Sequence, residues 1–232
     1  MASETMLLLP GHLCTAALWS NQIEALGDRV DCIVPSYRLG DSISQFAADV
    51  LDWAPAQFSL AAFSMGGFVA AEMVRQAPHR VRRLALVGSR CDVDGPDRLR
   101  QRERDMALVR EQGFESLLPL LPGRWLSPAY QSESAFAELL ARMAREVGEE
   151  GFFRQQRALI QRNDSAPALS RVQCPTLIIA GEMDRPNPPE KQRRLQALIP
   201  HARYVSVQLA GHMLPLEAPS ELTTALSDWL TR

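Results

Sequence analysis

Short apolar runs alternate along this chain with longer stretches in which apolar residues return every three or four positions. The runs cover residues 6–9, 32–34, 58–63, 84–87 and 176–180, with a weaker one at 204–207. Runs this short, bounded by Gly and Pro, suit strands buried on both faces of a sheet. Between them, Ile43, Phe46, Ala47, Val50 and Leu51 share one helical face, and Asp41 is the expected N-cap of that helix. Residues 219–230 read as a closing helix with Pro219 in its first turn. Strand–helix alternation implies an α/β architecture, a mostly parallel sheet covered by helices on both sides.

From about Cys91 to Ser170 the alternation stops. Helical patterns follow one another at 97–112, 114–121, 133–147 and 151–162, separated by Pro-bearing joints. The expected organisation is a core built from residues 1–90 and 171–232, with a helical cap insertion at 91–170. The apolar residues of that insertion (Leu117, Leu118, Leu121, Trp125, Phe152, Phe153) have two readings. They line the roof of a pocket, or they only fasten the insertion to the core.

Composition narrows the class without changing this picture. With 232 residues, 46% of them apolar and 22% charged, the chain is ordinary for one globular domain. A formal charge of −2 gives no basic excess for a nucleic-acid partner. The basic residues are almost all Arg, with Lys191 the sole Lys, a pattern read as a bacterial coding bias. Cys14, Cys32, Cys91 and Cys174 lie far apart, without metal-ligand spacing or the density of a disulfide scaffold, so a reducing, cytoplasmic setting is expected. The opening residues lack a basic segment followed by a long apolar one, so no secretory leader is expected. No apolar run approaches the roughly 18–20 residues of a membrane span.

Candidate chemistry begins where the run at 58–63 meets Ser64-Met65-Gly66-Gly67 and an apolar helix at 68–76. A small-x-Ser-x-Gly segment at a strand-to-helix turn exposes the Ser hydroxyl at a helix N-terminus, where backbone N–H groups favour negative charge. The same glycines also serve plain strand–helix packing, so a second signal is needed. Four histidines offer a base. His79 sits just past a helix end, His201 in a polar joint, and His12 directly after the first strand. His212 lies in the loop after the last strand, at the edge where a parallel sheet exposes functional groups, and is the best candidate. The acid that would orient it is expected in the turn after residues 176–180, at Asp184. Asp92, Asp94, Asp97 and Glu182 stand as rivals. The order Ser64, Asp184, His212 agrees with one known arrangement of such triads.

Three segments then carry a resemblance: LLLPGHLCTAALW, AAFSMGGFVAAEMVRQAPHRV, and TLIIAGEMDRPNPP followed by LAGHMLPLEAP. Over nearly its whole length the chain resembles the α/β-hydrolase superfamily, and within it small bacterial esterases and carbon–carbon bond hydrolases with a helical cap. The resemblance implies a serine hydrolase acting on an ester or related acyl bond of a small molecule. Ser64 would be the nucleophile, and the backbone N–H groups of His12 and Met65 would form the oxyanion hole. It implies no metal or organic cofactor. Leu13, Leu118, Leu121, Trp125 and Met213 are the expected pocket residues. Neither a nucleic acid nor a membrane is expected as partner, and a monomer or homodimer is.

Two departures leave that chemistry intact. Pro10-Gly11 stands where the family has His-Gly, and Ala62 replaces the first Gly of the elbow. The short segment before the first strand leaves no room for an opening hairpin, so six parallel strands are expected. Carbon–carbon bond hydrolysis and acyl thioester hydrolysis are alternatives that use the same residues. A ligand-binding protein of this fold with little turnover is a third.

Overall fold

The computed structural model describes residues 4–231. Residues 1–3, on which the expectation about a leader partly rests, lie outside that range. The apolar runs form six strands: β1 (Glu4–Leu9), β2 (Val30–Ile33), β3 (Phe58–Phe63), β4 (Val81–Val87), β5 (Thr176–Gly181) and β6 (Arg203–Val207). They pair in the order β2-β1-β3-β4-β5-β6, every pair parallel. β1 starts two residues earlier than its apolar run, where Glu4 and Thr5 pair with Val30 and Asp31 of β2, and the Glu4 carboxylate accepts hydrogen bonds from Ser59 of β3 (2.6 Å) and Arg83 of β4 (2.8 Å).

Side chains alternate across the central strands, which explains the unbroken apolar runs. Met6, Leu8, Ala61, Phe63, Ala85, Val87, Leu177 and Ile179 face one core layer. Leu7, Leu9, Leu60, Ala62, Leu84, Leu86 and Ile178 face the other. The first layer is closed by α1 (Ser20–Leu26) packed on the C-terminal helix. The second is closed by α2 (Ile43–Trp53) packed on α3 (Met65–Gln76). The N-cap of α2 is Ser42 rather than Asp41. Ser42 has the extended backbone of a cap, and its Oγ accepts the Gln45 N–H. Asp41, one residue too early, pairs with Arg157 at 3.0 Å instead.

Between β4 and β5 the chain forms α4 (Pro96–Gln112), a 3₁₀ segment (Phe114–Leu120), α5 (Leu121–Trp125), α6 (Ser134–Gln161) and α7 (Ala166–Leu169). α6 joins the two expected helices end to end, with a break at Gly148, whose φ of 75° no neighbouring residue shares. α7 packs against α3 and α8 (Pro189–Leu198), within the helical layer of the sheet. After β6 come a short α9 (Leu214–Glu217) and α10 (Pro219–Leu230), which packs on α1. Among the described residues, no helix is long and apolar enough to cross a membrane.

Candidate active site

Ser64 occupies the one residue between β3 and α3, with φ 52° and ψ −112°. A non-glycine residue in this region is strained and persists only where its surroundings hold it. Here its N–H donates to Val87 O on the adjacent strand (3.0 Å), and its carbonyl accepts from Gly67 N–H (2.9 Å). The turn needs close approach of α3 to the sheet: a Cβ at Gly66 would lie 2.6 Å from Leu9 O. Ala62, in the place of the usual first Gly, is fully buried and fits without a turn residue's freedom.

His212 reaches Ser64 from the loop after β6. Its Nε2 is 2.9 Å from Ser64 Oγ, and its Nδ1 is 2.9 Å from Asp184 Oδ2. A carboxylate only accepts, so Nδ1 carries the proton and Nε2 presents its lone pair to the Ser64 hydroxyl. Asp184 is 2% exposed and is fixed from both sides. Oδ1 accepts the Asn187 N–H (2.7 Å), while Oδ2 also accepts from Gln192 Nε2 (3.3 Å). Asn187 in turn donates to Gly88 O (2.6 Å), which ties the Asp184 turn to the end of β4.

The rival acids lie elsewhere. Asp92 pairs with Arg90 and Lys191, and Asp94 is enclosed by arginines. Asp97 is exposed and pairs with Arg100, and Glu182 accepts from Ser206 Oγ. Among the described residues Asp184 is the only acid in contact with His212. His79 and His201 are exposed, the latter bonded to Cys174 O.

The loop after β1 lies against the elbow, and a Cβ at Gly11 would meet the Phe63 ring at 2.8 Å and Ser64 Cβ at 3.3 Å. Gln155 of α6 fastens this loop: its Oε1 accepts the Leu13 N–H (2.9 Å) and lies 2.8 Å from His12 Nδ1. The main-chain N–H groups of His12 and Met65 have no protein acceptor among the described residues. Burial, with the nearby charges of Arg102 and Arg98, lowers the His12 pKa to about 3, so its ring is neutral at physiological pH.

Two contacts that hold the His212 loop go beyond the sequence analysis. The Glu217 carboxylate, buried in α9, accepts the N–H groups of Ser127 (2.9 Å), Gly211 (2.9 Å) and Met213 (3.0 Å). The His212 N–H donates to Trp125 O (3.0 Å). The base is thus anchored both to α9 and to the helices inserted between β4 and β5. An acid five residues after a candidate base, in a tight turn, was the available signal.

A small cavity of about 50 Å³ opens over Ser64, lined by His12, Met65, Trp125 and Met213 among others. A larger one of about 450 Å³ adjoins it and is lined by Leu13, Leu121 and Trp125. Leu118, an expected pocket residue, lines neither. Its side chain turns into the core, where it packs in the layer that includes Leu117 and Phe152. The charged residues missing from the sequence reading are Arg90, Arg98 and Arg102, all of which line the small cavity. The spacing of Arg98 and Arg102, one turn apart on α4, was their only trace. Among the described residues, no three His, Cys, Asp or Glu gather as a metal site.

Comparison with known proteins adds the lineage. The chain is 25% identical over 240 residues to the pimeloyl-(acyl-carrier protein) methyl ester esterase of Nitrosomonas europaea, covering 94% of this chain and 92% of that protein. It is 28% identical over 196 residues to the pyrrolizixenacetamide deacetylase of Xenorhabdus hominickii, covering 81% and 72%. The malate-bound structure of a thermophilic esterase from Thermogutta terrifontis superimposes with a TM-score of 0.88 at 26% identity, over 99% of this chain and 91% of that one. Residues 6–225 match the alpha/beta hydrolase family, to which this chain therefore belongs as a hydrolase.

Proposed function

We propose that this hydrolase cleaves an ester or related acyl bond of a small molecule through an acyl-serine intermediate. Ser64 is the nucleophile, His212 the base and Asp184 the group that orients it. The observation that carries this reading is the unbroken hydrogen-bond chain from Asp184 through His212 to a Ser64 held at φ 52°. A strained, half-buried hydroxyl next to an oriented imidazole has no structural purpose that a small apolar residue would not serve better.

The steps follow from the geometry. As Ser64 Oγ attacks the carbonyl carbon, its proton passes to His212 Nε2, and the ionised Asp184 stabilises the resulting imidazolium. The carbonyl oxygen becomes an oxyanion, held by the free N–H groups of His12 and Met65, the latter at the first residue of α3. The tetrahedral species collapses, the C–O bond to the alcohol breaks, and His212 returns the proton to the leaving oxygen. Water then attacks the acyl-serine with His212 taking its proton; as the acyl C–O bond breaks, His212 passes that proton to Ser64 Oγ and the acid is released. Losing one oxyanion donor costs about 2.7–4 kcal/mol in comparable sites, which ranks that pair among the larger contributions.

The inserted helices act as the cap of this site. They supply Trp125, whose carbonyl holds the His212 backbone, and Gln155, which holds the loop that carries His12. Both relatives named above act, by their names, on an acyl–heteroatom bond, an ester or an amide. That agreement favours acyl–oxygen cleavage over carbon–carbon cleavage. A panel of short-chain esters tests the reading. Turnover is expected in the wild type and should fall by at least about 10³-fold in Ser64→Ala, in line with loss of a triad member. Near-wild-type turnover by Ser64→Ala would remove the assignment.

A further inference from the structure

An enrichment of Arg over Lys accounts for the identity of the basic residues but not for their position. Four guanidiniums, those of Arg90, Arg98, Arg102 and Arg162, converge beside the small cavity over Ser64. Asp94 is the carboxylate they share. It accepts from Arg90, from Arg102 Nε (2.6 Å), and from both terminal nitrogens of Arg162 (3.0 Å each). These four donors saturate its lone pairs, and the three arginine side chains involved are 2–10% exposed. That part of the cluster is a latch that fastens the start of α4 to the end of α6.

Arg98 is left over. Its Nε is 3.6 Å from Asp94 Oδ1, beyond hydrogen-bonding distance, and its Nη1 donates to Pro186 O (3.0 Å). Its side chain is 41% exposed. Among the described residues, neither Arg98 Nη2 nor Arg102 Nη2 has a protein acceptor; Arg102 Nη1 is taken by Gln156 (2.8 Å). Both arginines line the small cavity over Ser64 and the larger one beside it. His12 lines both as well and, being neutral, adds no further charge; the carboxylates that line the larger cavity, Asp97 and Asp105, are paired with Arg100 and Arg124. Partial burial and the charges of Arg102 and Arg90 lower the Arg98 pKa to about 10, so it stays cationic at neutral pH. A guanidinium that shares its carboxylate with three others, and hydrogen-bonds to no carboxylate among the described residues, is held among like charges beside a reacting centre and is a site for an anion.

We propose that the guanidiniums of Arg98 and Arg102 bind an anionic group of the substrate, a carboxylate or a phosphate, so that the preferred substrate is a small ester carrying that charge. The inference rests on the acyl-serine reading above for the word ester, but not for the anion site itself. A structural latch explains Arg90, Arg102 and Arg162. It leaves the fourth guanidinium with a single bond to a backbone carbonyl, and the two Nη2 groups without an acceptor among the described residues.

Two matched ester pairs and one binding measurement test it. The pairs are monoethyl succinate beside diethyl succinate, and glycerol acetate 3-phosphate beside glycerol monoacetate. The anionic member of at least one pair is expected to show kcat/KM at least about tenfold above its neutral partner. The responding pair identifies carboxylate or phosphate. In Arg98→Gln that ratio should collapse towards one, and Arg98→Lys, which keeps the charge, should recover part of it. Ratios near one in the wild type, or a ratio unmoved in Arg98→Gln, would overturn the proposal. Separately, calorimetric titration of Ser64→Ala with succinate and with glycerol 3-phosphate should show saturable binding of at least one. Adding Arg98→Gln should weaken that binding at least tenfold. Binding without any Ser64-dependent turnover of esters would keep the anion site and sink the acyl-serine reading. Absence of binding by either anion would sink the site whatever the turnover.

Discussion

The carboxylate of Asp184 and Nδ1 of His212 lie 2.9 Å apart, brought together from loops after β5 and β6 that are separated by α8 and a strand in sequence. With Oδ1 occupied by the Asn187 N–H, the remaining oxygen has one direction in which to hold the imidazole. An Asn at 184 offers an amide NH₂ or a single oxygen in that position and favours the wrong tautomer. Asp184→Asn should therefore lose roughly 10⁴-fold in kcat on a responsive ester, by analogy with triads in which this exchange is known. Activity within tenfold of wild type would mean that Asp184 does not orient the base.

Glu217 should prove a positioning residue for His212. Three main-chain N–H groups converge on its two oxygens, one of them from Ser127 in the inserted segment. A Gln retains one accepting oxygen and presents an NH₂ that repels the remaining donors. Glu217→Gln is expected to cost about 1–3 kcal/mol, the penalty of stranding buried N–H groups, read by urea denaturation. Because two of these groups, those of Gly211 and Met213, flank His212, kcat should fall while KM changes little. A fall in stability with kcat unchanged would make Glu217 a structural anchor only.

Gly66→Ala tests the elbow by packing alone. Its Cβ would lie 2.6 Å from Leu9 O, a backbone atom that cannot step aside, so α3 must shift away from β1. The expected destabilisation is about 1–3 kcal/mol, as for other overpacked sites, with Ser64 displaced as a consequence. A variant as stable and as active as wild type would show that the elbow tolerates a looser turn.

How far the site could be read from sequence follows from where each residue sits. Ser64 and Asp184 each follow a fully buried strand that announces itself as an apolar run, and His212 follows the weaker run of the partly exposed edge strand β6, so the places where loops leave the sheet are legible. Register in the first turn of a helix is not: Asp41 and Ser42 are both good capping residues, and the backbone chose the second. Pocket walls are less legible still, because they depend on how α4 to α6 fold back over the sheet. Leu118 and Leu121 occupy the same apolar segment and the same core layer, yet only Leu121 also lines the larger cavity. The arginines of α4 stand in the sequence as composition; Arg102 gains its place only through Asp94, and Arg98 only through its position at the cavity. Break points such as Gly148 need a φ of 75°, which nothing in the surrounding helical pattern signals.

Asp94 should make the fold acid-sensitive. Burial opposes its ionisation, but hydrogen bonds from Arg162 and the charge of Arg102 prevail and hold its pKa well below the ordinary value of 3.8. A folded-state pKa below the unfolded one contributes stability that is full above pH 3.8 and is lost as pH falls towards the folded value. Asp94→Asn removes the carboxylate shared by three buried guanidiniums and is expected to cost about 3–5 kcal/mol at neutral pH. The gap between wild type and variant, followed by chemical denaturation, should narrow as pH drops below 3.8. A gap that is constant with pH would show that the latch does not depend on the charge of Asp94.

The central claim is that Ser64 is an activated nucleophile, and fluorophosphonate labelling of the purified protein followed by intact mass measurement tests it most directly. The account predicts one adduct per chain, mapped by peptide analysis to Ser64, absent in Ser64→Ala and strongly slowed in His212→Ala. A folded wild type that takes no label while a small ester still reaches the site, or an adduct that persists in Ser64→Ala, would contradict it.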